Sequence, residues 1–244
     1  MPVLISTSVQ VFRSLQYRRH NIRRQEHLAS LGLDLHDRAV LEVGAGVGDH
    51  TTFFLDRGCT VLSTEPRPEN CEIFSETMKQ YLIEGYDKVR NCHLYQGDVE
   101  SLHNAIKEPF DIIYCYGLLY HVENPAEVLA ILARYCRGLF LLETCVSYGD
   151  HESVNPISEP QSDPSQSFHG NGCRPTRPWI FNRLKTLFPQ VYVPKTQPAH
   201  EEFPLDWTSP PPEGRLTRAI FIGSHRPLTN PLLLDKLPDK QFRC

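Results

Sequence analysis

The residues able to do chemistry stand at the ends of short apolar runs. Val40-Leu41-Glu42-Val43-Gly44-Ala45-Gly46-Val47-Gly48 carries one such run into a turn with three glycines. Glycine lets a backbone turn sharply and approach a ligand with no Cβ in the way. A helix that follows presents unpaired N–H groups and the positive end of its dipole. The dinucleotide pattern G-x-G-x-x-G needs glycine where this chain has Asp49. A negative side chain where a pyrophosphate would sit argues against NAD and fits a cationic cofactor without phosphates. Glu65 closes Ser63-Thr64-Glu65-Pro66, 21 residues after Gly44, and can accept hydrogen bonds from both hydroxyls of a ribose. Asp98, in Gly97-Asp98-Val99, can take the exocyclic amine of an adenine while Val99 packs on its ring; it can also cap a short helix over 101–107.

Two further residues point to the acceptor side. His121 follows the run Phe110–Tyr116, and a neutral imidazole there can serve as a general base. The same ring can instead be held at the neck of the next helix. Glu143 ends the run Leu139–Glu143, where it can bind an acceptor amine or hydroxyl, fix His121, or make a turn hydrogen bond. His151, His169 and His200-Glu201-Glu202 match no tight ligand spacing such as H-E-x-x-H, so no metal is assigned.

The elements that must position these groups alternate. A helix is predicted over roughly 8–31, ending near Gly32. Strands are predicted at Arg38–Val43, Cys59–Thr64, Val89–Tyr95, Phe110–Tyr116 and Leu139–Glu143. Helices fall at His50–Arg57, Glu69–Glu84 and 125–137, the last with Asn124 at its cap and Pro125 in its first position. Nearly continuous apolar strands alternating with helices imply a parallel sheet covered on both faces, an α/β doubly wound, Rossmann-like architecture. The rhythm breaks over 146–178, which is rich in Pro, Ser and Gly. A helix at Thr176–Phe188 and strands at Val191–Val193 and Arg218–Gly223 follow. Twelve of the 20 prolines lie between 156 and 212, and long excursions of this kind are often functional lids. We expect a single domain over 1–244: a helical cap at 1–34, an acceptor lid at 146–178 and a tail from 226 without a usable pattern.

Taken together, the glycine turn, the acid ending the second strand, Gly97-Asp98 and Phe110-Asp111-Ile112-Ile113-Tyr114-Cys115-Tyr116-Gly117-Leu118-Leu119-Tyr120-His121-Val122-Glu123-Asn124-Pro125 resemble the class I S-adenosylmethionine (SAM)-dependent methyltransferases. The resemblance covers about residues 35–145. It implies a seven-stranded sheet with an antiparallel last strand, and SAM lying across the carboxyl ends of strands one, two and four. By position, Glu42, Gly44, Gly46 and Gly48 would meet the methionine part, Glu65 the ribose, and Asp98 and Val99 the adenine. Tyr116 and Gly117 would line the floor near the transferred methyl. Gly117-Leu118-Leu119-Tyr120-His121 with Leu141-Leu142-Glu143-Thr144 is also similar to the tRNA wobble-uridine carboxymethyltransferases.

His121 and Glu143 are thus the catalytic candidates. Tyr120, His169, Arg174 and Arg177 are the acceptor contacts expected near the lid, Arg being suited to a carboxylate or phosphate. Tyr17, Arg18 or Arg19 could close over the SAM carboxylate. The chain of 244 residues is 40% hydrophobic and 22% charged, with net charge −4, which excludes a disordered chain. Residues 1–30 carry +4, leaving −8 on the rest, a poor general surface for nucleic acid. The expected partner is therefore a small-molecule acceptor, with tRNA as the alternative and a non-catalytic SAM-binding module as a third reading. Eight cysteines without a C-x-x-C read as reduced core thiols, and no apolar run approaches a membrane span, so a cytoplasmic location without membrane contact is expected. The opening MPVLISTSVQVF is too short and wrongly ordered for a secretory signal.

Overall fold

The computed structural model describes residues 7–244. The opening MPVLIS, the first half of the stretch weighed above as a secretory signal, lies outside those residues. Helix α1 (Thr7–Phe12) and helix α2 (Leu15–Ser30) replace the one helix predicted there. The break is at Ser14, whose extended backbone (φ −61°, ψ 149°) lets its hydroxyl accept the Tyr17 N–H at 3.3 Å. Serine in this role offers a local alternative to continuing the helix. Gly32 follows α2 at φ +61°, the left-handed stop that glycine supplies without strain.

The alternation then runs β1 (Ala39–Val43), α3 (Thr51–Leu55), β2 (Thr60–Glu65), α4 (Pro68–Ile83), β3 (Cys92–Gln96), β4 (Phe110–Tyr116), α5 (Pro125–Arg134) and β5 (Cys136–Cys145). Hairpin strands β6 (Val154–Ser158) and β7 (Asn171–Pro175) follow. The chain finishes with α6 (Arg177–Lys185), β8 (Gln190–Pro194), β9 (Thr196–Gln197), β10 (Arg218–Ser224), β11 (Leu233–Leu234) and β12 (Phe242–Arg243). The main sheet has the order β11-β8-β10-β5-β4-β1-β2-β3. Its neighbours from β3 to β5 pair in parallel, while β10 is antiparallel to both β5 and β8. The mostly parallel, doubly wound sheet with an antiparallel late strand is as read from the sequence. The strand count is eight rather than seven, because the two-residue β11 adds to the edge of β8. That strand comes from the tail, too short to leave a pattern.

Period-two alternation puts the sheet between two apolar layers. Leu41, Val43, Ile113 and Cys115 face one side, with Leu129, Leu132 and Leu184 of the covering helices. Val40, Ile112 and Tyr114 face the other, with Leu28, Phe54 and Phe74. Six of the eight cysteines are buried and all eight are unpaired, consistent with core thiols. The segment over 146–178 is not pure loop: β6 and β7 form an antiparallel hairpin, and residues 159–170 connect them. The tail is also anchored, with the Asn230 side-chain amide donating to the Leu31 carbonyl at 2.7 Å. Among the described residues no helix is long and apolar enough to cross a membrane.

Candidate cofactor and acceptor site

The carboxyl ends of β1, β2 and β4 open into a cavity of about 500 Å³, whose lining includes Gly44, Gly46, Glu65, Asp98, Val99, Gly117 and His121. Gly44, Gly46 and Gly48 all have positive φ (+71°, +58° and +86°). A Cβ on Gly48 would come within 2.8 Å of the Phe74 ring, and one on Gly46 within 3.1 Å of Phe12. The turn is therefore glycine for two reasons, conformation and the closeness of α1 and α4.

Glu65 is buried at the end of β2. One carboxylate oxygen accepts the Gly46 N–H at 2.9 Å; the other accepts the Arg67 N–H at 3.2 Å and the Asn70 amide at 3.1 Å. Burial pushes its pKa up, and those donors pull it back only in part. Glu42, also buried, accepts the hydroxyls of Thr51 and Ser63 at 2.6 and 2.7 Å, and burial raises its pKa to about 7. Asp98 accepts the Ser101 N–H at 2.9 Å through one oxygen, the capping contact, and its second oxygen lies 3.6 Å from His169. Both sequence readings of Asp98 are thus geometrically compatible. Val99 is buried on the cavity wall. Tyr116 stacks on Tyr114 with ring centroids 4.4 Å apart, and its buried hydroxyl has no partner among the described residues. It lines a second, smaller space with Glu42, Arg24 and Asp49. Gly117, on the main cavity wall, has φ +87°.

On the acceptor side the structure separates the residues that the sequence grouped. His121 lines the main cavity, its Nδ1 2.5 Å from Glu159. Glu143 does not reach that cavity. It is fully buried, with Arg24 Nη1 at 2.8 Å and Arg218 Nη1 at 3.1 Å on its two oxygens. Its burial favours protonation, but Arg218 and Arg24 outweigh that and hold its pKa below the usual carboxylate range. Tyr120 is likewise withdrawn from the cavity. Its ring lies between the guanidinium groups of Arg174 (4.9 Å) and Arg218 (4.8 Å), and its hydroxyl accepts from Arg218 at 3.1 Å. Arg174 spends its donors on the carbonyls of Tyr120 and Cys173 and on Glu159. Arg177 belongs elsewhere: it covers the Trp207 ring at 3.9 Å and donates to the Pro238 carbonyl, in a separate cleft. Of the four expected acceptor contacts, only His169 lines the main cavity.

The Pro-rich connection also reaches the Glu65 end of the cavity. Arg67, two residues after Glu65, donates to the carbonyls of Gln161, Gln166 and Ser167 at 3.0, 3.3 and 3.0 Å. Asn70 donates to the Pro164 carbonyl at 3.2 Å. Of the N-terminal candidates, Tyr17 lines the cavity, whereas Arg19 pairs with Glu201 at the surface. Asp49 is neutralised by Arg13 and hydrogen-bonded by Asn21.

His20, His200 and Glu202 bring ligand-type atoms within 4.8 Å of one another, as do Asp98, Glu100 and His169. In the first group His200 Nδ1 accepts the Glu202 N–H at 3.3 Å, which puts the neutral ring's proton on Nε2 and removes that lone pair from coordination. Arg24 and Arg218 also make the surroundings of His20 positive. The second group is largely exposed.

Sequence reasoning missed Glu159, Arg24, Arg67 and Arg218. The first lies in an aperiodic stretch, and the other three act on partners far along the chain. Arg24 alone carried a signal, a basic residue in an otherwise polar helix.

Residues 41–139 match the family model described as a methyltransferase domain. Among curated proteins, the chain is 31% identical over 123 residues to a tRNA U34 carboxymethyltransferase of Alteromonas mediterranea, covering 49% of this chain and 36% of that one. It is 29% identical over 115 residues to the tRNA U34 carboxymethyltransferase of Helicobacter pylori strain G27, covering 46% and 42%. The chain therefore spans well under half the length of these relatives. Among solved structures, the N-terminal domain of EvdMO1 in the presence of SAH and D-fucose superposes with TM-score 0.63 at 24% identity, over 87% of this chain and 85% of that one. The glycopeptide N-methyltransferase MtfA complexed with SAM gives TM-score 0.53 at 15% identity, over 84% and 86%. The resemblance carried by the glycine turn and its acids is borne out: residues 41–139 match the methyltransferase domain, on the fold shared with the SAM-dependent methyltransferases.

Proposed function

We propose that this chain is a SAM-dependent methyltransferase acting on an oxygen or nitrogen atom of a small acceptor. The observation that carries the reading is the roofed cavity, with Glu65 and Asp98 at one end and His121 on its wall. Its volume of about 500 Å³ suits a cofactor of SAM's size with an acceptor group beside it. The chemistry of the lining fits as well. Glu65 and Asp98 offer acceptors to the ribose and adenine, while Arg67 has its terminal nitrogens committed to carbonyls. That leaves little for a pyrophosphate and favours a sulfonium cofactor over a dinucleotide. SAM supplies an activated methyl; the protein's share is to align an acceptor lone pair with it and to manage the acceptor's proton. We extend the reading to one methyltransferase domain over the whole chain, the 159–170 connection serving as the roof.

Calorimetry tests this directly. SAM and S-adenosylhomocysteine should bind and NADH should be silent. Glu65→Ala should weaken SAM by about 1–3 kcal/mol through lost charged hydrogen bonds. NADH binding with no SAM response would overturn the reading.

A second reading, carboxymethyl or methyl transfer to tRNA, is favoured by the two curated relatives. Tight tRNA binding with a steep salt dependence would decide for it.

A further inference from the structure

A buried carboxylate stands against the His121 ring. Glu159 follows β6 on the roof, with its side chain 3% exposed. One oxygen lies 2.5 Å from His121 Nδ1 and also accepts the Ser167 N–H at 2.8 Å; the other accepts from Arg174 at 3.1 Å. Three donors from three places pin this carboxylate in one orientation. Burial disfavours its charge, but His121, the Ser167 N–H and Arg174 outweigh that and keep its pKa low. An ionised carboxylate can only accept, so His121 Nδ1 must carry its hydrogen. In the neutral ring the lone pair is then on Nε2, the nitrogen left for an occupant of the cavity that His121 lines.

We propose that Glu159 is a positioning residue that fixes His121 as a general base with its Nε2 lone pair available to the cavity, and that the acceptor is consequently a hydroxyl. This rests on the methyltransferase reading above and deepens it. A neutral amine attacks with its own lone pair and sheds its proton afterwards, whereas an alcohol must lose its proton as the new bond forms. Here the acceptor O–H proton passes to His121 Nε2. The oxygen's electron pair forms the O–CH₃ bond as the C–S bond breaks, and that bond's electrons remain on sulfur as the sulfonium becomes a thioether. The groups facing the ring are Glu159, Arg174 and Arg218, with the Tyr120 ring 3.8 Å away between centroids. Burial lowers the His121 pKa and the two arginines act in the same direction, while Glu159 offsets them in part, so the ring is neutral at neutral pH, with its Nε2 unprotonated.

The test uses the full chain. Long-range ¹⁵N–¹H spectra of the histidine rings, with His121 assigned by its loss in His121→Asn, should show hydrogen on Nδ1 in the wild type and a mixture of tautomers in Glu159→Gln. A wild-type ring protonated on Nε2 overturns the proposal, and this readout needs neither cofactor nor acceptor. In turnover, Glu159→Gln should lower kcat by about 10–100-fold and move the acid limb of the pH profile to lower pH, and Glu159→Asp should recover part of the rate; SAM affinity by calorimetry should be unchanged. A rate loss with an unmoved pH profile means that Glu159 only holds the roof. Labelled SAM offered with neutral hexoses and with their 2-amino counterparts should mark oxygen; methylation confined to the amino group overturns the hydroxyl assignment. If the wild type fails to bind SAM, the methyltransferase reading fails, and the hydroxyl acceptor with it, whatever tautomer His121 shows.

Discussion

Replacing Glu143 with glutamine isolates the buried charge at the end of β5. Glutamine keeps the shape and one carbonyl acceptor but removes the charge that Arg24 and Arg218 share, at 2.8 and 3.1 Å. All three side chains are almost fully shielded from solvent, at 5%, 7% and 0% exposure for Arg24, Arg218 and Glu143. Removing one partner of a buried ion pair costs about 3–5 kcal/mol, mostly because the remaining charge is left uncompensated; here that charge is Arg24, since Arg218 keeps Glu202 at 2.6 Å. For a chain of this size each kcal/mol moves Tm by about 2–4 °C, so the variant should melt roughly 6–20 °C lower. The pH dependence gives an independent check. The folded-state pKa of Glu143 is depressed, so its stabilisation is complete above the unfolded value and lost as pH falls through the folded one. Wild-type Tm should therefore drop more steeply than that of Glu143→Gln on acidification below about pH 4. Thermal melts by circular dichroism across pH 3–8 measure both effects. A variant that melts with the wild type yet loses turnover would refute the anchoring role and return Glu143 to the acceptor site.

Two further perturbations bear on the cofactor side. Arg67→Ala removes the donors that hold the carbonyls of Gln161, Gln166 and Ser167, and should raise the SAM dissociation constant by about tenfold, or about 1.4 kcal/mol, by calorimetry. Unchanged SAM affinity with lost turnover would mean that the connection covers the acceptor instead. Glu42 has its pKa raised to about 7 by burial. Its contribution is therefore full below the unfolded pKa and is lost as pH rises towards 7, a decline of order 3 kcal/mol. Glu42→Gln should flatten the fall in Tm between pH 5 and 8, and an identical slope in both proteins would contradict this.

The parts of this molecule legible in the sequence are those whose cause is local. Period-two burial wrote Leu41 and Val43 onto one face and Val40 onto the other, and positive φ requires glycine at 44, 46 and 48. The cavity-lining positions of Glu65, Asp98 and Gly117 follow from where strands end. The acceptor side was not legible, for two different reasons. His121 follows β4 and Glu143 lies near the end of β5, but which way each points is set by distant partners, Glu159 in one case and two arginines in the other. Arg177 looked like a lid contact because 146–178 has no period from which to tell inside from outside; the structure turns it towards Trp207. The break at Ser14 was hidden because a capping serine and a helical surface serine look alike until the backbone is seen.

The Arg24–Glu143–Arg218 cluster ties together residues separated by 119 and 75 positions along the chain. Such contacts close only after long stretches of chain have been gathered, which slows folding. During synthesis the N-terminal helix and β5 emerge well before β10, so the first guanidinium meets a carboxylate still short of its second donor. Docking of the late antiparallel strand and seating of the N-terminal helix should therefore happen as one cooperative event. A nascent chain halted before residue 218 would hold its parallel strands while the helical cap remained loose, an exposed intermediate of the kind that recruits chaperones.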